Sequence, residues 1–344
     1  MSKQERSPCT GVRCGTGGNS PFTNVFPING LGANGACNPD GIQLLPGTLR
    51  GGGCANGADL TFDAATQKLT GTKNGRTVCE AAALEHATFL VRGISATPLE
   101  LTIAKVETFT PQDAAAGYAP VEGYRIEYHG HTTCDYETSL QVLNDLGLAQ
   151  PAAEQSCSPY ASAGSAQEPN ADLVVAMPGP LYNQVTGEPL VGTGGLFNLA
   201  CAADALAKTS FYDLDDSPQT VTASLRMITA RYDGVHAFTM RGIPLSWVLD
   251  PTAGPADPTL VPEAKWDANG KVTCIATPRL MSLPGAPASL PSCLQPAGCG
   301  PSGCATAAAW TSALEAQLGV AACGADFDGD VGSGVLFQSY VDAL

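Results

Sequence analysis

The chain has 344 residues and a formal charge of −15, from 17 basic and 32 acidic side chains, with 14% charged residues against 44% hydrophobic ones. No lysine/arginine cluster is denser than Lys3–Arg6, so the cationic face that nucleic acid or anionic lipid requires is missing. No apolar stretch reaches the roughly 18 residues of a membrane-spanning helix.

Gly (39) and Pro (26) together approach a fifth of the chain, which favours strands, turns and long loops over helical bundles. The expected fold class is α+β, mainly antiparallel β with two or more helices and long disulfide-tied loops. Thirteen cysteines run through the whole sequence: Cys9, Cys14, Cys37, Cys54, Cys79, Cys134, Cys157, Cys201, Cys274, Cys293, Cys299, Cys304 and Cys323. No CxxC occurs, so the paired ligands of a zinc ribbon are absent and all thirteen read as disulfide candidates in an oxidising compartment. The odd count leaves at least one without an internal partner. An extracellular, periplasmic or cell-surface location follows as the expectation, although Met1–Ser7 is followed by no apolar h-region and the leader is expected to have been trimmed.

In chain order, residues 1–80 form a Gly/Asn-rich looped or short-strand region. Asn29-Gly30, Asn34-Gly35, Asn56-Gly57 and Asn74-Gly75 are turn dipeptides suited to positive φ. From 86 to 128 the period is two. Leu99, Leu101 and Ile103 alternate with Glu100 and Thr102, and Tyr124, Ile126 and Tyr128 alternate with Arg125 and Glu127, which predicts half-buried strands. Ala87–Gly93 predicts another. Residues 137–170 read as an insertion opened by a helical phrase, Ser139–Leu148, before Ala171–Met177 resumes a strand. An amphipathic helix is expected over 221–232, with Val221, Leu225, Ile228 and Tyr232 on one face and Asp233-Gly234 closing it. Ile243–Leu249 predicts a strand and 251–263 a proline-rich loop. A Pro/Cys-rich loop, a helix over Thr306–Leu318 stopped by Gly319, and a tail fill residues 283–344. The central domain is expected at 81–282.

The central part resembles a known family. Leu199-Ala200-Cys201 resembles an F-x-x-A-C segment, and Ala205-Leu206-Ala207-Lys208 a G-A-L-A-K-C phrase. Arg226-Met227 and Ala230-Arg231-Tyr232-Asp233-Gly234 resemble a helix carrying R-M-x-R-A-D-Y-C-G. Gly242-Ile243-Pro244-Leu245 follows as a strand, and Trp266, Gly270, Cys274 and Arg279 as a trailing W…G…C…R pattern. Residues 86 to 282 are in this way similar to the ADYC domain of secreted bacterial proteins, a family that brings no assigned activity. The resemblance implies a fold unit and an exported setting. Thr209, Ser224 and Asp233 stand where the family pattern has cysteine, so a staple made by those cysteines would be missing here, a loss of about 2–5 kcal/mol.

Chemistry-bearing constellations are few. His129-Gly130-His131, followed by Cys134 and Asp135, would turn two imidazoles to one face if it lay on a strand, and a third ligand would complete a facial metal set. His236 follows the central helix and reads as a hydrogen-bonded turn residue. Asp326, Asp328 and Asp330 take positions 1, 3 and 5 of a calcium loop, but Val331 and Phe337 replace the Gly and Glu that an EF-hand requires. Asp213, Asp215 and Asp216 bring negative charge toward a helix N-terminus. No G-x-S-x-G, P-loop or dinucleotide fingerprint occurs. The expectation is an exported cell-envelope or extracellular protein with a binding or structural/assembly role, its partners a protein, a surface glycan or a second copy. Nucleic acid is not among them. No cofactor is expected, calcium being the one candidate. The alternatives are a secreted hydrolase or metal-dependent enzyme using acidic residues or His129/His131, and a calcium-stabilised surface module.

Overall fold

The computed structural model describes residues 14–18, 20–26, 28, 30–32, 35–95, 97–111, 118–148, 170–190, 196–214, 217–249, 259–282, 290, 294–299, 303–324, 327–328 and 334–342. Among the described residues three sheets carry the chain. The largest grows from a long antiparallel pair, β9 (Leu99–Phe109) with β10 (Val121–Tyr128). Its order is β2 (Leu31–Gly32), β13 (Leu196–Cys201), β12 (Val174–Pro178), β10, β9, β8 (Ala87–Arg92) and β3 (Gln43–Leu44). Two further short strands join it, β11 (His131–Thr132) on β10 and β4 (Arg50–Gly51) on β8. A second sheet orders β1 (Cys14–Gly18), β14 (Pro244–Val248), β18 (Val335–Asp342), β15 (Leu260–Asp267), β16 (Val272–Ile275) and β17 (Ala321–Ala322). The third is a meander of β5 (Asp59–Asp63), β6 (Lys68–Lys73) and β7 (Arg76–Glu80). Among the described residues, pairing is antiparallel except between β16 and β17. The chain is thus mainly antiparallel β with four helices among the described residues, the α+β class expected.

The period-two segments land as predicted. Leu101, Ile103, Tyr124 and Ile126 are fully buried, whereas Glu100 is exposed. β12 and β13 are different: Val174 and Ala176 face one core while Val175 and Met177 face another, so both sheet faces are covered. A strand buried on both sides needs no polar alternation, which is why Leu173–Met177 reads as an unbroken apolar run. The first core gathers side chains from residues 22 to 201. The second packs helices α2 (Ala205–Phe211), α3 (Pro218–Ile228) and α4 (Ala307–Leu318) with β14 to β16.

Helix boundaries follow caps. Asp135 accepts from the Thr138 amide to start α1 (Tyr136–Asp145), and Thr306 accepts from the Ala309 amide to start α4, which ends on left-handed Gly319. The central helix corrects the 221–232 expectation. It begins at Pro218, set by the Ser217 cap, and ends at Ile228, so Tyr232 lies beyond it and Asp233-Gly234 does not close it. Nor is it a one-faced helix: Val221, Thr222, Ala223, Ser224, Leu225, Met227 and Ile228 are all buried. An i, i+4, i+7 stripe marks only part of a helix that is covered nearly all round.

Candidate functional site

Three residues of the family pattern, Tyr232, Trp266 and Arg279, meet in one buried polar cluster. Tyr232, just past α3, stacks between Phe238 and Trp266, with ring centroids 5.7 and 5.6 Å away. Its hydroxyl donates to Glu263 Oε1 at 2.5 Å and accepts from the Arg279 amide at 2.8 Å. The Arg279 guanidinium donates to Glu263 Oε2 at 2.8 Å and also to the Met227 and Ile228 carbonyls, the open end of α3. Arg279 and Glu263 are both 0% exposed. Arg279 thus serves as a cation at the C-terminal end of a helix while pairing a carboxylate. Burial, with the Glu263 charge beside it, pushes the Tyr232 hydroxyl well above the usual phenol range. Gly270 (φ +70) sits against Ala223 and Arg226, where a Cβ would come within 2.9 Å of the α3 backbone.

A second polar cluster surrounds residues 20–26. Asp204 is fully buried and precedes α2 as its N-cap, yet its side chain caps nothing. It accepts instead from Ser20 Oγ, from the Val25 amide at 2.6 Å and from Arg241 at 2.7 Å. The α2 amides of Ala205 and Leu206 donate to the Phe22 and Thr23 carbonyls. Arg231, 2% exposed, donates to Thr23 Oγ1 at 2.7 Å and to the Gln184 carbonyl at 2.8 Å. Desolvation lowers Arg231 to about 9, the neighbouring Arg226 adding to it and Asp233 opposing. A cavity of about 20 Å³ lies here, lined among others by Phe22, Thr23, Gln184, Arg231 and Val235.

Next to this cavity, Asp233 receives the amides of Val235 and His236 and holds His236 Nδ1 at 2.5 Å. The His236 side chain is 35% exposed. The turn role expected of His236 matches this geometry.

The other sequence candidates fall as follows. His129 (φ +51) and Gly130 (φ +82) are the two left-handed residues of the turn joining β10 to β11, so His129 is not on a strand. Its ring stacks on Tyr128 at 3.9 Å, while His131 pairs opposite Tyr128 in the ladder. The shared strand face assumed for the two imidazoles is therefore not formed. Neither proposed third ligand is free, since Cys134 is bonded to Cys201 and Asp135 caps α1. No group of three or more metal-ligating side chains assembles among the described residues. Asp326 and Asp330 lie outside the described residues; Asp328 accepts from the Tyr340 hydroxyl at 2.7 Å. Asp213 takes a left-handed φ of +57 in the turn after α2, and Asp215 and Asp216 lie outside the described residues. Thr209 and Ser224, buried, return their hydroxyls to the Leu206 and Thr220 carbonyls.

Of the cysteines, Cys54–Cys79, Cys134–Cys201, Cys274–Cys323 and Cys299–Cys304 form disulfides, and exposed Cys37 is free. Cys9, Cys157, Cys293 and the Cys14 side chain lie outside the described residues. Sequence reasoning did not single out Glu263, Asp204 or Asn24. Glu263 ends the 251–263 stretch expected as a proline-rich loop; β15 instead begins at Leu260 and carries Glu263 into the core, whereas Asp204 directly before an Ala/Leu helical phrase carries an N-cap signal.

These features define a disulfide-tied, mainly antiparallel β protein in which Arg279 of the family pattern makes a buried ion pair with Glu263 behind a helix. The model of the ADYC domain matches residues 81–281, more than half of the chain, and the protein belongs to that family. No curated protein and no solved structure matches it. No helix among the described residues is long and apolar enough to cross a membrane.

Proposed function

We propose that this is an exported protein of the cell envelope or extracellular space that works by binding and assembly. The observation that carries the reading is the fate of this cluster: Tyr232, Glu263 and Arg279 are 3%, 0% and 0% exposed, and their hydrogen bonds run to one another and to α3. Groups so enclosed shape a fold and meet no substrate, which leaves function to the surface. Four disulfides support the exported setting, because such bonds persist where the medium is oxidising. The test is non-reducing peptide mapping of protein taken from its native cells, combined with crosslinking before lysis. Recovered Cys134–Cys201 and Cys274–Cys323 peptides together with a defined crosslinked species are expected; reduced thiols at these positions and a chain that stays uncrosslinked would overturn the reading.

A secreted hydrolase is the second reading, and the Asp233–His236 pair favours it, since the aspartate engages Nδ1 of a partly exposed imidazole as the orienting acid of a catalytic triad does. Hydrolysis of an ester panel that disappears in His236→Ala, with folding retained, would promote it over the first.

A further inference from the structure

Among the described residues two arginines are buried, and they are treated differently. Arg279 pairs with the Glu263 carboxylate. Arg231, 2% exposed, meets no carboxylate among the described residues. Its Nη1 donates to Thr23 Oγ1, its Nη2 donates to the Gln184 carbonyl, and its buried Nε has no partner. Gln184 Oε1 is likewise buried and without a partner. Both side chains line the cavity of about 20 Å³, whose other walls include Phe22, Val235 and Ala237. Arg226 adds positive charge here and Asp233 opposes it. Asp233 is already engaged, by the Val235 and His236 amides and by His236 Nδ1. A buried charge without an ionic partner is costly, and two orphaned polar atoms on one cavity add to that cost.

We propose that this cavity is a binding site for one small monovalent anion of halide size. A single water needs about 10–15 Å³ of such space, so a chloride or bromide ion fits and a tetrahedral oxyanion does not. The Arg231 Nε–H supplies a charge-assisted hydrogen bond. A half-turn of the Gln184 amide exchanges Oε1 for Nε2 and forfeits only a long 3.4 Å bond to the Tyr182 carbonyl, which gives the ion a second N–H. The apolar walls favour an anion that sheds its water cheaply. A water in the same place satisfies Nε and Oε1 but leaves the guanidinium charge uncompensated. The cavity borders the surface at Val235, which is 36% exposed. Phe22 and Thr23 lie outside the matched family domain, whereas Gln184, Arg231 and Ala237 lie inside it, so the ion helps to fasten the N-terminal segment to that domain. The inference goes beyond the binding-and-assembly reading and does not depend on it.

The full chain is unfolded in urea at constant ionic strength while sodium bromide replaces sodium gluconate, whose anion is too large to enter. The wild type should gain stability saturably, its unfolding constant falling about tenfold when bromide stands at about ten times its half-saturating concentration. Ala237→Val fills the cavity without touching the Arg231 hydrogen bonds, and Gln184→Glu supplies the negative charge from the chain itself. Both variants should lose the bromide dependence while still unfolding cooperatively, and Ala237→Val controls for general salt effects. A wild type with no saturable gain, as a cavity that takes only water gives, overturns the site. So does full dependence retained by either folded variant. Should neither variant fold, anomalous diffraction from wild-type crystals grown in bromide decides: a peak beside Arg231 Nε supports the site, and no peak there overturns it. None of these outcomes bears on the disulfide mapping or the crosslinking in native cells, so the anion site fails without taking the general reading with it.

Discussion

Replacing Arg279 by Met should be the most damaging single change in the family domain. The substitution removes a guanidinium that is 0% exposed and leaves three acceptors behind: Glu263 Oε2 and the carbonyls of Met227 and Ile228. Water does not reach this position, so the Glu263 carboxylate either stays charged without its cation or takes up a proton. Breaking a buried pair on one side costs about 3–5 kcal/mol, and the stranded carbonyls belong to the same loss rather than adding fully to it. At about 2–4 °C per kcal/mol for a unit of this size, the melting temperature should fall by about 10 °C. Calorimetry and denaturant titration measure it directly. The double change Arg279→Met with Glu263→Gln removes both charges together and should recover at least about 1–2 kcal/mol of the loss. An Arg279→Met protein less than about 1 kcal/mol below wild type, or a double variant as unstable as the sum of the two singles, would refute the account of this cluster as a coupled buried pair.

Other outcomes follow from the same geometry. Cys134–Cys201 spans 67 residues and Cys299–Cys304 only 5, so on chain-entropy grounds replacing the first pair by serine should cost about 4 kcal/mol and the second about 2, a ranking that urea melts of the two variants would check. Burial, with Asp145 second, pushes Tyr128 up to about 12, and burial also raises Tyr124, Tyr232 and Tyr340. A tyrosine with a raised folded-state value keeps its proton while the unfolded chain gives its proton up near pH 10, so stability is full below about 10 and falls above it; absorbance at 295 nm should show these four ionising only as the protein unfolds. Gly93→Ala should destabilise by about 2 kcal/mol or more, because its Cβ would lie 2.4 Å from the Leu146 carbonyl oxygen, and thermal melts would reveal it.

The sequence exposed the local features and hid the distant ones. Alternation in 99–103 and 124–128 located two strands because each buries one face. Thr306 and Gly319 bracketed α4 because caps act within a few residues. His129-Gly130 shows a local signal read the wrong way: a residue before glycine that takes positive φ belongs to a tight turn, and the two-residue period does not carry through it. Ser217-Pro218 was likewise a legible start to α3, passed over because the apolar stripe begins later. The clusters themselves were out of reach. Arg279 meets Glu263 across 16 residues, Tyr232 meets Glu263 across 31, and Asp204 meets Ser20 across 184, so no helical or strand period relates the partners. Arg279 appeared as a family position without its role, and Asp204 only as one acid among 32.

Asp204 also bears on how the family unit is delimited. It stands at the N-cap of α2 and leaves capping to the Phe22 and Thr23 carbonyls, which accept from Ala205 and Leu206. A chain cut back to residues 81–281 would therefore bare two amides and leave a fully buried carboxylate facing Arg241 alone. Expression trials bounded by the family's own limits should give poorly soluble protein, and retaining residues from Ser20 onward should restore it.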